Sequence, residues 1–308
     1  MAKLIVLCGL PGSGKSYYAE ELWAIEATFT APSVVIHSSD AIREELFGDP
    51  GSQEDNALVF ETMHKRVRED LRAGKTVIYD ATNITRKARK GAINLATKGD
   101  TVECHIVWAP VETCIQRDLK RSRSVGSAVI DKMLRRWQSP HISEGFTQID
   151  VYCADPEFDQ VSYVALAAAN MHIPHDNPHH TLGVWEHCMQ ARQYIINNSN
   201  ITEDLKLAAM WHDIGKPYTK TWHIDKTTGT VDYSHAHFYD HHCVGGYLAY
   251  GLFLHKAFNE DDVDIMCWIS WLICNHMEPF FNSHYYRDLP FHLKQSLDLL
   301  HAADVAAH

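Results

Sequence analysis

LIVLCGLPGSGKS, residues 4–16, is an apolar run that ends in a glycine-rich turn and leads into a polar helix. The run Leu4–Cys8 predicts a short buried strand, and Tyr17–Ala27 predicts the helix. Gly9, Gly14, Lys15 and Ser16 satisfy G-x-x-x-x-G-K-[ST], the phosphate-binding loop, with Gly12 and Ser13 inside it. Each residue type has a physical reason. Glycines let backbone N–H groups turn inward around phosphate oxygens without a Cβ in the way. Lys15 brings a point charge to the β- and γ-phosphates, Ser16 offers a hydroxyl to Mg²⁺, and the helix points its positive end at the anion. A nucleoside triphosphate with Mg²⁺, most simply ATP, is the ligand this loop predicts.

Working outward, residues 33–37 (SVVIH), 76–79 (TVIY) and 101–109 (TVECHIVWA) read as further buried strands. Helices are predicted over 41–47, 54–73, 85–97 and 112–123. Alternating strands and helices predict a doubly wound parallel sheet. Residues after parallel strands face the ligand crevice. Asp40 and Arg43 follow the second strand, three apart on one helix face. There Asp40 can take a proton from an attacking hydroxyl and Arg43 can hold a phosphate bidentately. Asp40 serves equally well as a helix N-cap on position alone. Asp80 follows the third strand, where a carboxylate supports the Mg²⁺ shell. Residues 112–137 carry a basic run in which Arg117 and Arg121 share a helical face, with Arg123 beyond them.

The 308 residues suffice for two domains, at roughly 100–200 residues each. Residues 148–160 contain Pro156 and read as a linker, which puts the boundary at 155/156. Composition changes there. Residues 1–155 carry 20 Lys+Arg and 21 Asp+Glu, whereas residues 156–308 carry 8 and 18. Histidine is equally uneven, with 4 in the first half and 17 in the second. The net charge of −11 argues against a long non-specific nucleic-acid surface, though not against contact with one end. No apolar stretch approaches the ~20 residues that span a bilayer, and residues 1–8 read as a strand rather than a signal peptide. The eight cysteines form no C-x-x-C pair, which suggests small buried residues in a reducing, cytoplasmic compartment.

GLPGSGK, SSDAIREEL (38–46), YDATN (79–83), VETCIQRDLKR (111–121) and SPHISEGF (139–146) together resemble the P-loop polynucleotide kinase family over about residues 1–150. The resemblance implies an α/β P-loop kinase with a parallel sheet and flanking helices, moving the γ-phosphate of ATP to a 5′-hydroxyl of RNA or DNA. It also implies Lys15 and Ser16 for ATP·Mg²⁺, Asp40 as general base, Arg43 for the acceptor-end phosphate and lid arginines at Arg117, Arg121 and Arg123.

In the second half, His187 lies on a helix predicted over 179–197. A helix over 203–214 ends in HDIGKP (212–217), where Gly215 and Pro217 stop it and let His212 and Asp213 converge. His241, His276 and Asp304 each lie beside a further helical apolar pattern. Imidazole with carboxylate suits a divalent metal that activates water for attack on phosphorus. HHTLGVWEHC (179–188), AAMWHDIGKP (208–217) and DHHCVGGYLAY (240–250) resemble the HD phosphohydrolase superfamily, closest to the HD domain joined to some bacterial tRNA nucleotidyltransferases. The resemblance covers about residues 170–308 and implies an all-α HD-type domain, a metal-dependent 2′,3′-cyclic phosphodiesterase and phosphatase. His187, His212, Asp213 and Asp304 form its implied core ligand set, for Mn²⁺, Ni²⁺, Co²⁺ or Zn²⁺. His241 and His276 match positions that bind metal or phosphate in part of the family, so one ion or two stays open. Lys216 is implied on the substrate phosphate, and His180 is a further candidate.

Jointly the halves predict a bifunctional RNA end-healing enzyme. RNA cleavage commonly leaves a 5′-OH and a 2′,3′-cyclic phosphate, and a separate RNA ligase needs a 5′-phosphate and a 3′-OH. RNA ends, tRNA among them, and DNA ends are the expected partners. The alternative is a small-molecule or nucleoside kinase fused to a nucleotide phosphohydrolase.

Overall fold

The computed structural model describes residues 2–29, 34–178, 181–198, 202–254 and 260–307. It divides into two compact units. One is Met1–Met133 with Pro140–Phe158, and the other is Leu134–Ser139 with Asp159–His308.

The first unit runs β1 (Lys3–Cys8), α1 (Lys15–Phe29), β2 (Val34–Ser38), α2 (Ser39–Phe47), α3 (Asn56–Arg72), β3 (Thr76–Asp80), α4 (Arg86–Ile93), β4 (Thr101–Trp108), α5 (Val111–Leu119), the start of α6 (Ser127–Leu134) and β5 (Gln148–Cys153). The strands form one parallel sheet in the order β2-β3-β1-β4-β5. β1 is central and covered on both faces, which is why Leu4–Cys8 is uninterrupted apolar sequence. Ile5, Leu7, Ala19, Leu22, Val34 and Ile78 make one packed cluster under α1. Asn83, after β3, donates from Nδ2 to the Leu7 carbonyl at 2.7 Å and so ties the β3 exit to β1 directly behind the loop.

Three sequence expectations change here. Residues 148–160 are not a plain linker, because Gln148–Cys153 is the fifth strand. Its residues are mostly half-buried, so it lacks the apolar run of the central strands. The predicted helix over 112–123 ends at Leu119. The Asp118 carboxylate accepts from Ser124 Oγ at 2.5 Å, Gly126 N at 2.9 Å and Val125 N at 3.1 Å, which folds the chain into a turn there. Arg121 and Arg123 therefore lie past the helix end, and Arg117 and Arg121 do not share a helical face. Asp40 is not the cap of α2. Ser38 occupies that position, and Asp40 is in the first turn.

The second unit runs α7 (Gln160–Asn170), α8 (Val184–Asn198), α9 (Glu203–Trp211), α10 (Lys216–Thr219), β6 (Thr221–Ile224), β7 (Val231–His237), α11 (His241–Phe253), α12 (Glu260–Asn275), α13 (Glu278–Phe281), α14 (His284–Asp288) and α15 (Phe291–Ala306). It is not all-α, because β6 and β7 form an antiparallel hairpin. α8, α9, α11, α12 and α15 pack together. α8 supplies Val184, His187, Cys188, Ala191 and Ile195 to the interior at helical spacing, so its one histidine in that stripe is carried into the core. Leu134–Ser139 packs here too. Trp137 is fully buried with its ring edge-on to Tyr247 at 5.1 Å, and Ser139 Oγ lies 2.8 Å from Ser270 Oγ.

Candidate functional site

Each unit carries its own candidate site. In the first, the loop between β1 and α1 turns at Gly12 (φ 79°) and Gly14 (φ 101°), where a side chain is strained. A Cβ on Gly12 would also meet the Cys114 carbonyl oxygen at 2.2 Å, and one on Gly9 the Val107 oxygen at 2.4 Å. Lys15 Nζ donates to the Leu10 carbonyl at 2.7 Å. Ser16 Oγ donates to Asp80 Oδ2 at 3.1 Å, joining the loop to the end of β3. Burial works against charge on both Lys15 and Asp80, lowering the first and raising the second, while each partly offsets the other.

Gly12, Gly14, Lys15, Ser16, Asp40, Arg43, Asp80, Arg121 and Arg123 line one cavity of about 190 Å³. Arg43 donates from Nη1 to Asp40 Oδ1 at 2.9 Å and from Nη2 to Asn56 Oδ1 at 3.0 Å. Its Nε is buried and makes no hydrogen bond among the described residues. Arg123 Nη1 lies 3.9 Å from Asp40 Oδ2. Asp40 thus stands half-open to solvent between two arginines. Gly9 and buried Ser13 do not line the cavity, and neither does Arg117, whose Nη2 donates to the Ala154 carbonyl at 2.8 Å. Gln53, Asn56 and Phe60, at and beside the start of α3, were not singled out in the sequence. An aromatic ring on a mostly polar helix was the readable signal for Phe60.

In the second unit, His187, His212, Asp213, His241, His276 and Asp304 converge from α8, the end of α9, the starts of α10 and α11, and the ends of α12 and α15. His187 Nε2 lies 2.9 Å from Asp304 Oδ1 and 3.2 Å from His212 Nε2, and His212 Nε2 lies 3.4 Å from Asp304 Oδ1. Across the cluster, His241 Nε2 and His276 Nε2 are 3.2 Å apart. Asp213 spans the two groups. Its Oδ2 is 3.3 Å from His212 Nε2 and 3.6 Å from His187 Nε2, while its Oδ1 is 3.3 Å from His241 Nε2 and 4.0 Å from His276 Nε2.

The tautomers follow from the other ring nitrogens. Nδ1 of His187, His212, His241 and His276 each lies 2.7–2.8 Å from a backbone carbonyl, of Ala307, Ala209, Phe238 and Ile273 respectively. A carbonyl only accepts, so each Nδ1 carries hydrogen and each ring, in its neutral form, turns a lone pair on Nε2 into the cluster. Lone pairs facing each other at 3.2 Å repel, and a cation between them removes the repulsion. Asp213 Oδ2 is buried and ion-paired with Lys216 Nζ at 2.6 Å, and among the described residues it accepts no aligned hydrogen bond. These residues fit a divalent cation in each group, with Asp213 offering one oxygen to each. Cys188 is also near His212, but on the Nδ1 side at 3.7 Å, away from the converging nitrogens.

Burial pushes His241 down to about 4 and holds His276 well below the ordinary imidazole range. Burial opposes charge on His212 too, but Asp213 overrides it and raises that ring. Burial raises Asp213 and Asp304, and against it Lys216 with His212 for the one, and His187 with His212 for the other, pull both carboxylates well down. The cluster therefore keeps two ionised carboxylates, Asp213 and Asp304, in a buried space beside His212 and Lys216.

Gly215 makes the assembly possible. A Cβ there would meet the His241 carbonyl oxygen at 2.0 Å, so only glycine lets the start of α11 approach the end of α9. Lys216 is buried at the cavity wall, on Asp213 and 2.9 Å from His175 Nε2. His175 was missed in the sequence. It is buried, donates from Nδ1 to the Leu182 carbonyl at 2.8 Å, and is brought in by the Pro174–Gly183 bridge, a tertiary pairing with no local signature. His180 lies outside the described residues. Asp213, Lys216, His241, His276 and Asp304 line a cavity of about 540 Å³, whose other walls include Phe238, Tyr239, Phe280 and Phe281.

A further acidic group, Glu103, His105 and Asp150, lies on the sheet of the first unit. Lys3 Nζ already sits 3.1 Å from Glu103, and His105 Nδ1 is 2.7 Å from the Tyr18 hydroxyl.

Residues 4–140 match a family model described as an AAA domain, under half of the chain. The chain is 28% identical over 163 residues to the transcription factor bHLH140 of Arabidopsis thaliana, a match covering 51% of this chain and 16% of that one. It is 27% identical over 138 residues to the L-seryl-tRNA(Sec) kinase of Methanococcus maripaludis, covering 44% of this chain and 53% of the relative. A chain of the solved Pnkp1/Rnl/Hen1 RNA repair complex is 27% identical, with 43% of this chain and 42% of that chain covered and a TM-score of 0.37. The chain thus spans about half, or less, of the length of these curated relatives. The first unit is a parallel-sheet α/β P-loop kinase fold with flanking helices. Among the described residues no helix is long and apolar enough to cross a membrane.

Proposed function

We propose that this protein heals RNA ends, phosphorylating a 5′-hydroxyl with ATP and removing a 2′,3′-cyclic phosphate, or a 2′- or 3′-phosphate, at a separate metal site. One observation carries the reading. The same chain joins a phosphate-binding loop facing Asp40 and Arg43 to an Asp213-centred cluster of histidines and carboxylates. Neither site alone specifies an RNA end. Together they supply the two phosphate changes that cleaved RNA requires before ligation.

At the first site, the loop's backbone N–H groups and Lys15 hold the triphosphate. Ser16 and Asp80 are the residues that would hold Mg²⁺, which would supply charge neutralisation to the phosphates. Asp40 takes the proton of the attacking 5′-oxygen as the new O–P bond forms and the bond to ADP breaks. Arg43, which lines the cavity beside Asp40, offers its guanidinium to the acceptor-end phosphate. Arg121 and Arg123 bring positive charge to the transferred phosphoryl group.

At the second site, His187, His212 and Asp304 would hold one divalent ion and His241 and His276 another, with Asp213 shared. Bound ions of this kind supply water activation and charge neutralisation at phosphorus. The four Nδ1–H bonds to backbone carbonyls keep the imidazoles in the one tautomer that presents the Nε2 lone pair to an ion. Lys216, fixed on Asp213 and His175, holds a positive charge at the cavity wall for a phosphate oxygen.

The deciding experiment is a paired assay. The protein is given 5′-OH RNA with ATP·Mg²⁺ and, separately, RNA ending in a 2′,3′-cyclic phosphate with Mn²⁺, Ni²⁺, Co²⁺ or Zn²⁺. The reading expects phosphate gained in the first and opened or lost in the second. No change in either refutes it. Competition between oligonucleotide and nucleoside as phosphate acceptor separates it from nucleotide metabolism, since an end-healing enzyme prefers the oligomer.

A further inference from the structure

The metal-cluster cavity has an aromatic rim that the phosphate chemistry at its floor does not use. Tyr239 is 66% exposed, Phe280 67% and Phe281 55%, and all three line the cavity. A soluble protein does not gather exposed rings on one cavity without cost, and such patches mark ligand surfaces. The rings are organised. His237, at the end of β7, lies stacked on Tyr239 with centroids 5.1 Å apart and planes at 21°. Arg135 Nη1 donates to the Tyr239 carbonyl at 3.2 Å and steadies that turn. Also on the lining, the Phe281 ring lies 6.0 Å from that of His242, which lies 6.3 Å from that of the candidate ligand His276. A row of rings therefore leads from the cluster to the rim.

Resting on the proposed phosphohydrolase reading, we infer that this rim is a nucleobase platform. The substrate whose phosphate sits over Asp213 and Lys216 carries a flat base, which stacks on Tyr239 or on the Phe280–Phe281 pair. A nucleotide presents both parts, an anionic phosphate for the floor and a π-face for the wall. Charge supports a base-directed grip over a backbone-directed one. The second unit, Leu134–Ser139 with Asp159–His308, carries 10 basic against 17 acidic residues, so its net charge opposes a run of phosphates. Stacking tolerates that charge and is worth roughly 1–3 kcal/mol per base. Binding at this site should therefore depend weakly on salt, well short of the slope of about −0.7 per neutralised phosphate seen when a single strand is held by its backbone.

The test compares the full-length protein with its Tyr239→Leu and Phe280→Leu/Phe281→Leu variants in the presence of Mn²⁺. Two substrates are used, adenosine 2′,3′-cyclic phosphate and glycerol 1,2-cyclic phosphate, which keeps the ester ring and lacks the base. The platform predicts that wild type favours the adenosine ester and that at least one variant raises its KM by roughly 5- to 150-fold, with kcat and all glycerol-ester kinetics unchanged. Variants that leave the adenosine KM intact, or impair both substrates equally, overturn it. If wild type cleaves neither ester with any metal, the phosphohydrolase reading has failed, and titration calorimetry with adenosine 3′-phosphate, with the phosphate-binding loop filled by ADP·Mg²⁺, decides the platform separately. Binding that the variants lose supports it, and absent or unchanged binding overturns it.

Discussion

His212 and Asp213, consecutive in the chain, aim Nε2 and Oδ2 at each other across 3.3 Å. Neighbours within a helix point about 100° apart and do not meet this way. They meet here because α9 stops at Trp211, so the pair sits on the turn rather than in the helix. That turn lets one carboxylate serve two imidazole groups. Asp213→Asn keeps the shape and removes the charge shared between them. It should lower cyclic-phosphate cleavage by at least about 100-fold and lower bound metal, measured by elemental analysis, while leaving 5′-phosphorylation unchanged. In the wild type, metal at 100 times its Kd should raise stability by about 2.7 kcal/mol, an increment that Asp213→Asn should lose. Equal loss of both activities would contradict two independent sites.

Asp40 is held by Arg43 at 2.9 Å, which orients the carboxylate toward the cavity. A general base contributes typically about 10²–10⁴-fold. Asp40→Asn should therefore reduce kcat for 5′-phosphorylation by that factor with the KM for ATP little changed, because ATP is held by the loop. Arg43→Lys should act differently, since an ammonium cannot reproduce the fork. It should raise the KM for the oligonucleotide more than it lowers kcat. Initial-rate kinetics with each substrate varied would separate the two.

How much of this was legible in the sequence depends on whether the signal is local. Gly9–Ser16 is a contiguous device, and the strand, turn and helix around it are readable together. The candidate donors were readable as a set because each closes or opens an apolar helical pattern. Three features were not. β5 sits at the sheet edge with half-buried residues, and beside Pro156 it looks like a linker. The end of α5 is decided by the Asp118 side chain binding backbone and hydroxyl groups ahead of it, against a basic pattern that favours continued helix. The β6–β7 hairpin carried a turn signal, with Gly229 at φ 71°, inside a polar segment that has no apolar run to mark its strands. The double role of Asp213 and the burial of His175 come from tertiary approach alone.

His175 gives a pH dependence with a definite sign. Burial, then the nearby Lys216 charge, pushes it down to about 4 from an ordinary 6.5. Its folded pKa lies below its unfolded one, so the unfolded chain binds the extra proton. The stability it contributes is complete above about pH 6.5 and is lost as pH falls toward 4. The loss should reach up to about 3 kcal/mol. Urea unfolding of the metal-free protein between pH 7.5 and 4.5 would measure it. The wild type should weaken more steeply with acid than His175→Asn, and parallel curves would mean that His175 does not carry the effect.

Gly215 offers the sharpest separation of folding from function. Its added Cβ would lie 2.0 Å from the His241 carbonyl oxygen and 2.8 Å from Gly245 N, both backbone atoms that no rotamer change can move aside. Gly215→Ala must push the start of α11 away from the end of α9, and His241 leaves Asp213 with it. Overpacking of this kind costs typically about 1–3 kcal/mol, and the displacement opens the 3.3 Å contact on which the second donor group depends. The expected result is a lower unfolding midpoint for the second unit, weakened metal binding and loss of cyclic-phosphate cleavage, with 5′-phosphorylation retained. Wild-type metal affinity in a Gly215→Ala protein would show that α11 can yield without moving His241, and the shared carboxylate would then not require the glycine.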